Sequence, residues 1–185
     1  MINEYFIDLF ENDLSLNSTD KYAILEEKSN KKNDELQKFK IDCKPIDFKM
    51  IKSDKIIVNN LFKGKGKGQK KHCDYLLITN SKVFFIELKT SLVVDNTDDI
   101  DSVIKQFKGT LCITDYIDSV LFHFYEKNKF FENVKKRYIV FCKNLPISKI
   151  TTNLKELRDE SNDKPNKYKI IEVDNDGVVA IEELG

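Results

Sequence analysis

The chain has 185 residues, with 31 basic and 31 acidic side chains giving a formal net charge of zero, and 41% hydrophobic residues. That is enough chain for one domain with a real core and too little for two full ones, so residues 1–185 are expected to form a single domain. The apolar and aromatic content excludes a disordered chain, and zero net charge argues against a histone-like or coat-type nucleic-acid binder, although an acidic site and a basic groove would cancel in the sum. No apolar run approaches the roughly 20 residues that span a bilayer, and Met1-Ile2-Asn3-Glu4 opens no signal peptide, so a cytoplasmic protein with no membrane partner is expected. Cys43, Cys73, Cys112 and Cys142 are widely spaced and lack a C-x-x-C pair, which fits reduced, mostly buried thiols.

In chain order, Ile2, Tyr5, Phe6, Leu9 and Phe10 form an apolar stripe at helical spacing over residues 2–13. Thr19 or Asp20 can cap a second helix beginning with Tyr22, Ala23 and Leu25. Pro45 marks a break. Residues 46–52 alternate apolar and charged as a half-buried strand does, and 56–62 form another strand candidate. Residues 75–79 (YLLIT) and 83–89 (VFFIELK) read as a hairpin about Asn80-Ser81. Acidic and capping residues from Asp95 to Asp101 then start a helix that runs to about Phe124. Gly109 inside it is there for close packing or a kink, because glycine weakens a helix by about 1 kcal/mol relative to alanine. Residues 137–142 (RYIVFC) have the continuous apolarity of a strand buried on both faces. Strand, helix and strand together predict a crossover with parallel strands. A short helix over 148–158 and strands at 168–173 and 178–181, about the turn residues Asn175-Asp176-Gly177, complete the reading.

The hairpin carries the chemistry. A turn symmetric about Asn80-Ser81 pairs Thr79 with Lys82 and places Asp74 opposite Glu87, with Cβ atoms roughly 5 Å apart. Lys89, two residues beyond Glu87, falls on the same face. Two opposed carboxylates repel, and one lysine offsets that only in part. A bound divalent cation offsets it fully, and hard oxygen ligands suit Mg²⁺ or Mn²⁺.

Cys73-Asp74 followed by Glu87-Leu88-Lys89 resembles the PD-(D/E)XK nuclease superfamily, with Cys73 where the motif usually has proline. The resemblance covers about residues 56–142. It implies an α/β fold (an α+β mixed sheet) with a restriction-endonuclease-like αβββαβ core, its central mixed sheet flanked by helices. It implies that Asp74, Glu87 and the Leu88 carbonyl hold Mg²⁺, with Mn²⁺ as a substitute, and that Lys89 orients water and stabilises developing charge. It also implies that Gln106 faces the active site from the following helix. A glutamate on the first helix completes the metal shell in many members, and Glu4, Glu11, Glu26 and Glu27 are the candidates. The alternative for the hairpin is a solvated edge whose charges keep it soluble.

Lys63, Lys65, Lys67, Lys70 and Lys71 lie in a glycine-rich cationic stretch just before Asp74. Lysines and free backbone N–H groups attract phosphates without reading sequence, so this segment is expected to contact nucleic acid. No Gly-Lys is followed by Ser or Thr, which excludes a P-loop. His72 beside Cys73 has no second ligand pair at zinc spacing. The expectation is therefore a Mg²⁺-dependent nuclease of the restriction or antiviral-defence type hydrolysing DNA phosphodiesters, with the choice between DNA and RNA left open by the sequence. Its expected partners are DNA and a homodimer mate or an ATPase or other defence subunit. The rival expectation is an inactive protein of the same fold that binds nucleic acid or a partner in a defence complex.

Overall fold

A computed structural model describes residues 15–16, 21–26, 38–56, 68–93, 96–144 and 161–185. Nine strands and one α-helix are described: β1 (Ser15–Leu16), β2 (Tyr22–Glu26), β3 (Lys38–Asp42), β4 (Phe48–Lys52), β5 (Tyr75–Thr79), β6 (Lys82–Ser91), α1 (Thr97–Phe124), β7 (Lys135–Asn144), β8 (Lys169–Glu172) and β9 (Val178–Ala180). The fold is mixed α+β. A six-stranded sheet has the order β1-β4-β5-β6-β7-β8, and a three-stranded sheet has the order β2-β3-β9. In the large sheet, β1, β4, β5 and β6 pair antiparallel, whereas β6, β7 and β8 pair parallel.

The side-chain period of two sorts the large sheet's residues between two cores. Leu76, Ile78, Val83, Phe85, Tyr138, Val140 and Cys142 pack towards α1 with Val103, Phe107, Ile113 and Leu121. Tyr75, Leu77, Phe84, Ile86, Leu88, Ile139 and Phe141 pack the other way, against Ala23, Leu25, Phe39 and Ile41 of the small sheet. Aromatic rings anchor both layers, with Phe85 stacked on Tyr138 at 4.8 Å between centroids and Phe39 against Phe141 at 4.5 Å. Two cores explain why β5 and β7 read as almost unbroken apolar runs.

The hairpin, the long helix and the parallel return strand stand where the sequence puts them. Asn96 caps α1 by accepting from the Asp98 N–H at 3.0 Å. One expectation needs correction. The segment from Tyr22 is a strand, because Ala23 and Leu25 are buried while Ile24 between them is exposed, the alternation of a half-buried strand. It pairs antiparallel with β3, whose Phe39 and Ile41 alternate in the same way. The expected strands at 168–173 and 178–181 are β8 and β9, and they lie in different sheets. A turn closed by Gly177 N–H donating to Asp174 O carries the chain from β8 beside β7 to β9 beside β3, in the other sheet. Among the described residues, a helix covers one face of the large sheet and a second sheet covers the other. The expected helices over 2–13 and 148–158, and all of the strand over 56–62 but Ile56, lie outside the described residues.

Candidate functional site

The β5–β6 register pairs Tyr75 with Ile86 and Ile78 with Val83, the alignment that brings Asp74 level with Glu87. Asp74 sits just ahead of β5, and its Oδ2 accepts the Leu88 N–H at 2.7 Å. Glu87 and Lys89 share the face that looks towards α1. Lys89 Nζ donates to Glu87 Oε1 at 2.5 Å and to Gln106 Oε1 at 3.3 Å. Gln106 Nε2 in turn donates to Glu87 Oε1 at 2.5 Å. Asp74, Glu87, Lys89 and Gln106 are thus brought together from two strands and a helix.

Glu87 is 1% exposed, and its Oε2 is buried with no hydrogen-bond partner. Burial, and then repulsion from Asp74, push its carboxyl up to about 8 against the pull of Lys89. Asp74 is raised too, chiefly by burial, although the Leu88 N–H and Lys89 work in the opposite direction and Asp54 adds to the rise. An unpartnered buried carboxylate oxygen beside a second carboxylate is costly unless a proton or a cation answers it. The donors here are hard oxygens, which fit Mg²⁺ or Mn²⁺. No group of three or more His, Cys, Asp and Glu side chains is placed to hold a metal among the described residues. Asp74, Glu87 and the Leu88 carbonyl would leave the remaining positions to water or substrate.

A hydrogen-bonded frame holds Asp74 in place. Cys73 N–H donates to Thr110 Oγ1 at 2.8 Å, and Thr110 Oγ1 donates to the Gln106 carbonyl at 3.0 Å. Ser53 Oγ donates to Cys73 O, and Ser53 N–H donates to Asp74 O at 3.0 Å. The strand end carrying Asp74 and the helical turn carrying Gln106 are therefore tied through one buried threonine. Cys73 itself is fully buried, with its thiol pushed up to about 12 by burial, so it is a packing group rather than a nucleophile. His72, its pKa lowered by burial, lies close enough to Asp54 to feel its charge.

The lysine-rich stretch divides. Lys63, Lys65 and Lys67 lie outside the described residues, while Lys70 and Lys71 belong to a turn closed by Lys71 N–H donating to Gly68 O. Lys71 Nζ donates to Ser102 Oγ on α1 at 2.9 Å, so this end of the stretch docks on the helix. Close packing is the reason for Gly109: a Cβ there would stand 1.8 Å from Lys71 O. Of the glutamate candidates, Glu26 is the one described; it ends β2 and pairs with Lys38 at 3.3 Å. Sequence reasoning missed Thr110, Ser53 and the Lys52–Lys55 corner. The β4–β5 register, which pairs Lys52 with Tyr75, sets that corner beside Asp74.

No protein-family model, curated protein or solved structure matches the chain. No described helix is long and apolar enough to cross a membrane.

Proposed function

We propose that the protein is a metal-dependent nuclease of the PD-(D/E)XK type, with a restriction-endonuclease-like core, that hydrolyses DNA phosphodiester bonds in a restriction or antiviral-defence role. The observation that supports this reading is the convergence of Asp74, Glu87 and Lys89, with Gln106 hydrogen-bonded to the last two, around a buried carboxylate oxygen that lacks a partner. A solvated edge that merely keeps a hairpin soluble would not bury its glutamate.

In this reading Asp74, Glu87 and the Leu88 carbonyl would hold Mg²⁺. The cation, when bound, polarises the phosphoryl oxygen and makes water a better nucleophile near neutral pH. Lys89 brings a positive charge next to the reacting phosphate, where it stabilises the negative charge that grows in the transition state. Gln106 fixes the Lys89 ammonium and the Glu87 carboxylate relative to each other by donating to one and accepting from the other. Thr110 and Ser53 keep Asp74 from drifting away from Leu88. The test is cleavage of plasmid, single-stranded DNA and RNA with Mg²⁺ or with chelator. Metal-dependent hydrolysis is expected on DNA, and its absence on all three would remove the enzymatic reading.

A further inference from the structure

A cleft of about 330 Å³ opens on Asp74 and Leu88, walled by Lys52, Asp54, Lys55 and Tyr75. Its walls are mainly polar, unlike the apolar lining of most small-molecule sites. Lys52 ends β4 and Lys55 closes the single 3-10 turn after it, so both rise from the corner that the β4–β5 register places against Asp74. Lys52 Nζ hangs over the Tyr75 ring, 5.6 Å from its centroid. The Tyr75 hydroxyl is fixed to the end of β2, donating to Glu26 O at 2.6 Å and accepting from Glu26 N–H at 3.0 Å. Neither lysine has a carboxylate within ion-pair distance among the described residues, whereas Glu26, which also borders the cleft, is paired with Lys38.

We infer that this cleft seats the sugar-phosphate backbone next to the reacting phosphodiester, with Lys52 and Lys55 as the phosphate contacts. The inference rests on the nuclease reading and adds the path of the strand. The charge balance supports it. With Glu26 answered by Lys38, the cleft offers two lysines against Asp54 and Asp74, and a cation held at Asp74 tips that sum positive. An anionic backbone would then enter from this side while Lys89 acts from the α1 side of the sheet. Cleft contacts of this kind hold phosphates without reading bases, so affinity here is electrostatic and tolerant of sequence. DNA and RNA share the backbone chemistry, and the experiment separates them.

The experiment compares Lys52→Gln/Lys55→Gln with the parent, and with Lys127→Gln as a control for a charge lost on the loop after α1. Binding of short fluorescent DNA and RNA oligonucleotides is read by anisotropy in a Lys89→Ala background with Mg²⁺, across a salt titration. Steady-state cleavage is read in the otherwise unmodified chain. The double variant is expected to weaken binding several-fold on every sequence. The slope of log affinity against log salt should flatten by about 0.7 to 0.9 per lost contact. In cleavage, the loss should fall on KM more than on kcat, and the Lys127→Gln control should follow the parent. A weaker DNA complex with RNA unaffected, or the reverse, assigns the strand type. Superimposed salt titrations, or no binding of either oligonucleotide by the parent, overturn the inference. Cleavage by the parent with an unchanged KM in the double variant removes the cleft and leaves the nuclease reading intact. Lysine-dependent binding without any cleavage does the opposite.

Discussion

Cys73 stands where the motif it resembles usually has proline, and its backbone explains what the exchange does. Its N–H donates to the buried Thr110 hydroxyl, a bond that proline cannot make. Cys73→Pro is therefore expected to destabilise the fold by about 1–3 kcal/mol by leaving Thr110 short of a donor. A urea midpoint equal to that of the parent would contradict the frame drawn around Asp74. Glu87 makes a second prediction at this scale. Its carboxyl is raised from 4.5 to about 8 in the folded state, so the folded chain binds that proton more tightly than the unfolded chain does. Stability from this group is complete below the unfolded value and is lost as pH rises towards about 8. In metal-free buffer, thermal melting should fall across that window for the parent and stay flatter for Glu87→Gln. Mg²⁺ competes with the same proton, so its stabilising effect should grow with pH over the same range. Equal pH profiles for the parent and Glu87→Gln would show that the carboxylate is not strained by its site.

Among the elements, α1 does more than fill one face of the sheet, since it carries Gln106 and Thr110 to the site and receives the 68–71 turn at Gly109. Alanine in place of glycine within a helix usually stabilises by about 1 kcal/mol. Here the added Cβ would stand 1.8 Å from the Lys71 carbonyl, so the turn or the helix must give way. Overpacking of this kind costs about 1–3 kcal/mol, and Gly109→Ala should lower stability in chemical denaturation rather than raise it. Further along α1, Asp118 is buried and accepts from Phe130, Phe131 and Glu132 N–H at 2.8, 2.9 and 2.7 Å. Asp118→Ala leaves three donors unanswered and should cost at least about 3 kcal/mol. A loss below 1 kcal/mol in the same titration would mean that water replaces the carboxylate without penalty. Neither role was legible in the sequence, where Gly109 allowed a kink as well as close packing and Asp118 is one acidic residue among many.

At the scale of the whole molecule, what could be read ahead follows from where the signal is local. The hairpin register, the crossover helix and the parallel return strand each depend on periodicity and turn chemistry within a short stretch. Placing Asp74 level with Glu87 needed only the two residues of the turn. Pairing β4 with β5 spans the 20 or so residues between them, so no local pattern announced that Lys52, Ser53 and Asp54 stand beside Asp74. The same limit hid the partner of β9, which joins β3 from far along the chain in the other sheet. Tyr22–Glu26 misled because five residues of mixed apolar character fit either period until the partner strand is known. In the proposed reaction, Lys89 stabilises the transition state for phosphodiester hydrolysis at this site. Single-turnover cleavage of DNA at saturating Mg²⁺, comparing Lys89→Ala with the parent, tests it most directly. The expected result is a loss on the order of 10²–10³ in rate with folding and DNA affinity retained, the scale of removing one charge-stabilising donor. Equal rates in the two proteins, or no Mg²⁺-dependent cleavage by the parent, would contradict it.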